Sequence, residues 1–144
     1  MTATATPTST SRDTRYDTRV VLQSVWIFAV LNYLYCDVLG LMHAPDLQGL
    51  LDGNAGGLEI TTGFLLGAGV LMEIPIAMVL VSRFAPHRLA RISGVAAGTI
   101  MTLVQLASLG IGSETTPHYY FFSVIEVAAT GFVVWTSWKW RADA

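Results

Sequence analysis

Charge is what this sequence has least of. Only 12% of its 144 residues are Asp, Glu, Lys or Arg, while 53% are hydrophobic; a soluble domain ordinarily carries about 25% charged residues. Such a chain cannot cover a globule with solvated groups, which excludes an ordinary soluble bundle with polar residues over half of every helix. Cysteine is almost missing too. Cys36 stands alone, so neither an internal disulfide nor a two-cysteine redox pair is available. His43, His87 and His118 contain no close pair, and no metal site is expected from them. No phosphate loop, zinc signature or nucleophile motif occurs, and no cofactor is expected. The net charge of −2 comes with no basic surface beyond the helix flanks, so no nucleic-acid partner is expected.

What the chain has instead is four long apolar stretches, at Val20 to Met42, Ile60 to Ser82, Leu89 to Gly110 and Tyr119 to Trp138. Each approaches the length of about 20 residues that a helix needs to cross a bilayer. The expected fold is therefore all-α, an integral membrane four-helix bundle with short loops, occupying residues 19–141 as one domain. The preceding stretch, MTATATPTSTSRDTRYDT, is rich in Thr and Ser and poor in apolar side chains, and is expected to be a disordered tail over residues 1–18. The first apolar stretch is long and lacks a convincing small-residue cleavage site, so it is read as an uncleaved first span.

The few charges are placed unevenly. All eight basic residues fall in three groups: Arg12, Arg15 and Arg19 before the first span, Arg83, Arg88 and Arg91 around the second connection, Lys139 and Arg141 after the fourth span. The connections at 43–59 and 111–118 hold Asp46, Asp52, Glu59 and Glu114 and no base. Positive residues favour the cytoplasmic side, which puts both termini and the FAPHR turn in the cytoplasm and the protein in the cell (inner) membrane, with the lipid bilayer as its first partner. Tyr119 and Tyr120 at one edge, and Trp135, Trp138 and Trp140 at the other, fit interfacial belts.

Polar residues inside the spans are the candidates for function. A charged group at the centre of a span costs about 2.5–3.5 kcal/mol on insertion scales and normally faces the bundle interior. In GVLMEIPIAMVL, residues 69–80, Glu73 and Pro75 interrupt an apolar run. Glu73 and Asn32 fall near the middle of their spans, and Asp37, Gln105 and Glu126 lie toward the outer side. Helical spacing joins Gly94, Gly98, Thr102 and Gln105 on one face, and Ser123, Glu126, Thr130 and Ser137 on another. Gly69 lies one turn before Glu73, and Ser24, Phe28, Asn32 and Cys36 fall on one line; the simplest packing turns all these stripes inward. Asp37 lies about 140° around the helix from Asn32, nearer an outer mouth.

Glu73 and Glu126 are the pair expected to carry the chemistry. Burial and mutual repulsion disfavour two charges together, so the pair is expected to share a proton or hold a cation, positioned by Asn32 and Gln105. Pro75 removes a backbone donor and frees the Leu71 carbonyl, which would kink the helix and open room beside Glu73. Gly63/Gly67 and Gly94/Gly98 are small-xxx-small pairs that permit close helix approach.

The segments LNYLYCDVLGLM, LEITTGFLLGAGVLMEIPIAMVLVSR and PHYYFFSVIEVAATGFVVWTSWKW, with NYLYCD, LMEIP and the final aromatic cluster as their most specific parts, resemble an uncharacterised (domain-of-unknown-function) family of small bacterial four-helix membrane proteins. The likeness covers about residues 20–141. It implies topology and an inner-membrane location and brings no activity or catalytic residues.

Three functions compete. The first is a small binder or transporter whose buried acidic pocket takes a proton, a cation or an amine-bearing lipophile, with a homodimer expected because one four-helix chain is small for alternating access. The second is a membrane enzyme using a Glu pair as acid and base on a lipid, isoprenoid or sterol-like substrate. The third is a structural or accessory subunit whose acids meet a partner's bases.

Overall fold

Helix starts and stops in this chain follow its capping residues. Asp17 caps the first helix by accepting from the Arg19 amide at 3.0 Å, and Thr61 caps another by accepting from Phe64 at 3.1 Å; each satisfies an amide that the helix itself leaves unpaired. Pro117 opens the last helix at its first turn, where its missing N–H costs nothing. A computed structural model of the chain describes residues 17–110 and 116–141. Its long helices are α1 (Thr18–Leu41), α3 (Thr62–Phe84), α4 (His87–Ser108) and α5 (Pro117–Lys139), and a short α2 (Ala44–Leu51) follows α1. All four long helices are long and apolar enough to cross a membrane, and the fold is an all-α four-helix bundle. Of the expected tail at 1–18, residues 1–16 lie outside the described residues, while Asp17 and Thr18 cap and open α1.

The 43–59 connection differs from the plain loop expected there. Besides α2 it holds a two-strand hairpin, β1 (Asn54–Ala55) against β2 (Leu58–Glu59), antiparallel. Gly56 and Gly57 turn it with φ of 58° and 91°, a backbone that residues with a Cβ seldom adopt. The Asn54 side chain fastens the turn by accepting from the Gly57 amide at 2.7 Å.

The long helices alternate in direction and form a ring in which α1 packs on α3 and α5, and α4 packs on the same two. One end of the ring is tied by arginine. Arg19 Nη1 donates to the Ala85 carbonyl at 2.7 Å and to the Arg83 carbonyl at 3.4 Å, while its guanidinium lies 5.2 Å from the Trp140 ring centre. Arg91 donates to the Trp138 carbonyl at 3.1 Å. Cations at helix C-termini meet both the free carbonyls and the negative end of the helix dipole, so each tie joins the start of one helix to the end of its antiparallel neighbour.

The core is Leu22, Trp26, Ala29 and Tyr33 of α1, Met78 of α3, Ala97 and Met101 of α4, and Ala129 and Val133 of α5. Close approach of α4 to α5 depends on glycine. A Cβ on Gly94 would collide with the Ser137 side chain, and one on Gly98 would come within 2.8 Å of Val134 Cγ2 and 3.2 Å of the Thr130 carbonyl. Gly67 has open space around its Cβ position, so the first small-xxx-small pair has no such use within this chain.

The polarity of the bundle is inverted. Ser82, Gln105, Ser123, Glu126, Thr130 and Ser137 are buried, while Leu65, Leu66, Val70, Leu103, Phe121 and Val124 are each more than half exposed. An exposed apolar surface of this extent requires an apolar surrounding or a partner. The shape and surface fit a multi-pass membrane protein.

Candidate functional site

The polar stripes of α4 and α5 face one another. Thr102 and Thr130 share a hydroxyl–hydroxyl hydrogen bond of 2.7 Å. One turn nearer the α2 end, Gln105 Nε2 donates to Ser123 Oγ at 2.8 Å. Further along, the Tyr119 hydroxyl donates to Ser108 Oγ at 2.6 Å. Both stripes read from helical spacing are thus turned inward, Ser123, Glu126, Thr130 and Ser137 on α5 and Gly94, Gly98 and Gln105 on α4.

Glu126 sits in the middle of this polar seam with 1% of its surface exposed, and its Oε1 is buried without a hydrogen-bond partner. The hydroxyls of Ser123, Thr130 and Thr102 beside it are occupied. Ser123 gives its one proton to the Tyr119 carbonyl at 2.7 Å, and Thr102 and Thr130 have two protons for three contacts, the bond they share and the carbonyls of Gly98 at 2.8 Å and Glu126 at 2.9 Å. A hydroxyl has a single proton to give, so none of these reaches the carboxylate. A buried carboxylate without a donor or a cation is expensive.

α1 supplies the opposite wall. Tyr33 is buried with its hydroxyl unpartnered, and Cys36 is buried one turn on. Tyr33, Cys36 and Asp37 all lie within range of the Glu126 charge. Asp37 is exposed, so of the two carboxyls one is buried and one lies at the rim. The grouping that results is Glu126, Tyr33, Gln105, Ser123 and Asp37.

Glu73 is elsewhere. It is exposed on the outer face of α3, with Gly69 exposed one turn before it. Pro75 lies about 160° around the helix from Glu73 and is buried against the bundle. The helix continues through it to Phe84, with Pro75 and Glu73 on opposite faces. The expected Glu73–Glu126 pairing is therefore not assembled within one chain.

Asn32 is also spoken for, since its Nδ2 donates to the Phe28 carbonyl of its own helix at 2.8 Å. The line Ser24, Phe28, Asn32 and Cys36 is not the inward one: Ser24 and Phe28 are exposed, and Leu22, Trp26, Ala29, Tyr33 and Cys36 face the core. Tyr33 is the site residue that polarity alone missed. The spacing of four, three, four and three residues through Leu22, Trp26, Ala29, Tyr33 and Cys36 is the signal that locates it, being the seam of a packed helix. Among the described residues, no three or more His, Cys, Asp or Glu side chains come together as a metal-holding group.

Residues 13–144 match a family of unknown function (DUF6326), and the chain belongs to that family. Neither a curated protein nor a solved structure matches it.

Proposed function

We propose that this chain is a multi-pass protein of the cell (inner) membrane that binds a proton, a cation or the amine group of a lipophile at Glu126. The observation that carries the reading is the Glu126 Oε1 atom, buried without a hydrogen-bond partner. A cationic N–H would donate to Oε1 while the Tyr33 hydroxyl, also buried and unpartnered, would accept a second bond or receive the proton of the neutral carboxyl. Asp37 at the rim gives a second acid through which a cation approaches. Binding at such a site, with a path to one side, is the elementary step of a small binder or transporter.

The membrane part of the proposal is supported by the inverted polarity of the bundle. Its orientation is supported by charge: Arg19, Arg83, Arg88, Arg91, Lys139 and Arg141 gather at one end, which the positive-inside rule assigns to the cytoplasm together with both termini. Lys139 lies 3.8 Å from the Trp135 ring centre, an arrangement suited to the headgroup level. Acid–base catalysis by Glu73 and Glu126 would need both carboxyls on one slot, and they face apart.

Native mass spectrometry of the purified chain in mild detergent tests the binding reading. With a long-chain alkylamine or a monovalent cation as probe, the wild type should form a one-to-one adduct that Glu126→Gln loses and Glu73→Gln keeps. Equal adducts on all three proteins would overturn the assignment of Glu126, and copurification with a stoichiometric foreign subunit would favour a structural role.

A further inference from the structure

Glu73 is the midpoint of α3, which runs from Thr62 to Phe84, and it faces away from the bundle. Around it on the same outer face lie Leu66 and Gly69, then Val70 and Ala77, then Leu80. Leu66, Val70 and Leu80 are 69%, 63% and 59% exposed. On the membrane reading proposed above, this carboxyl would stand in hydrocarbon at the centre of the bilayer, about 15 Å from either interface of a core about 30 Å thick. A glutamate side chain cannot reach that far, so the group has to be covered by something that can share its proton or charge.

The described residues offer no cover. The basic residues among them are at one end of the ring, and Gln105, Asn32 and the hydroxyls of Thr102, Thr130 and Ser123 are engaged elsewhere. Gly69, one turn from Glu73, has nothing within 4 Å of its Cβ position; its lack of a side chain serves no contact inside the protomer. It does permit another helix to approach at the level of the carboxyl.

We infer that the α3 face centred on Glu73 is the contact between two copies of this chain, in which the two Glu73 carboxyls share one proton across a two-fold axis. Every copy inserts with the same orientation, so the only two-fold that relates two copies runs along the membrane normal, and such an axis places each residue against its own equivalent at equal depth. Glu73 therefore meets Glu73. A carboxylic acid donates and a carboxylate accepts, which makes one protonated and one ionised copy complementary where two apolar helices or lipid tails offer no donor. Gly69 and Ala77 on either side let the backbones close to within reach, and Leu66, Val70 and Leu80 pack around the pair.

Single cysteines placed in a Cys36→Ser background, in sealed vesicles of the expressed protein, test this. Oxidation should cross-link copies through Leu66→Cys, Val70→Cys and Ala77→Cys, and at most a tenth as much through Leu103→Cys or Phe121→Cys on the outer faces of α4 and α5. Adding Glu73→Lys to the Val70→Cys chain should abolish its self-cross-linking, because two ammonium groups then face each other. Mixing differently tagged Glu73 and Glu73→Lys chains should restore it as a mixed pair, favoured at least five-fold over either like pair, which also shows that the variant is folded. Cross-linking indifferent to Glu73→Lys, or strongest at Leu103 and Phe121, would overturn the inference. So would capture of Val70→Cys by a different membrane protein in place of its own copy. Carbonate extraction of the same vesicles keeps the two readings apart: an inserted chain that stays monomeric overturns the dimer alone, and an extracted chain overturns the membrane reading as well.

Discussion

Gln105 Nε2 donates to the Ser123 hydroxyl at 2.8 Å inside the bundle, and that hydroxyl passes its own proton to the Tyr119 carbonyl at 2.7 Å. The chain of bonds runs away from Glu126, so Ser123 gives the carboxylate no proton. Ser123→Ala should cost about 1–3 kcal/mol of stability, since it strands a buried amide. Gln105→Leu should cost less, and the double variant less than the sum, because removing both partners removes the need for the bond. Equilibrium unfolding in detergent, read as a double-mutant cycle, checks the order.

Replacing Glu126 should separate stability from binding. Glu126→Leu removes an unsatisfied buried carboxyl, and the ligand-free protein should gain about 1–3 kcal/mol while losing the alkylamine or cation adduct. Thermal unfolding with and without the probe measures both. A less stable Glu126→Leu protein would mean that the carboxylate is held by a structural partner.

The glycines of α4 should be intolerant where they touch α5. Gly98→Ala forces its Cβ against Val134 Cγ2 and the Thr130 carbonyl, an overpacking expected to cost about 1–3 kcal/mol. Gly131 has open space at its Cβ position, and Gly131→Ala should be neutral or gain up to about 1 kcal/mol from helix propensity. Melting temperatures of the two variants should move in opposite directions or differ clearly in size.

The arginine tie should need its guanidinium. Arg19 serves the Ala85 and Arg83 carbonyls and the Trp140 ring together, a planar geometry that an ammonium cannot copy. Arg19→Lys should recover less than half of the stability lost in Arg19→Ala, itself about 1.5–3 kcal/mol for hydrogen bonds to a charged group. Full recovery by lysine would reduce the tie to simple charge.

Helix number and extent were legible because span length, capping residues and charge placement agree. The expected spans at Val20 to Met42 and Tyr119 to Trp138 meet observed helices Thr18–Leu41 and Pro117–Lys139. The rotations of α4 and α5 were legible too, since their small and polar residues recur at helical spacing and pack on each other. Those of α1 and α3 were not. On α1, Ser24 and Asn32 drew attention by polarity, but Asn32 satisfies itself on its own helix and the packed seam runs through Trp26 and Tyr33. On α3, an acid at mid-span suggested an inward face, and Glu73 instead lies exposed on the outer face of the helix. The hairpin at Asn54–Glu59 depended on the Gly-Gly turn, which composition alone left as loop.

The state of the Glu126 carboxyl is the most direct point of test. Infrared difference spectra of wild-type protein and Glu126→Gln in lipid nanodiscs isolate its stretch. The wild type should show a protonated carboxyl band that the variant lacks, and this band should convert to carboxylate as an alkylamine or monovalent cation binds. A Glu126 band that stays ionised and unmoved by either probe or by changing pH would contradict a proton- or cation-holding site in the bundle.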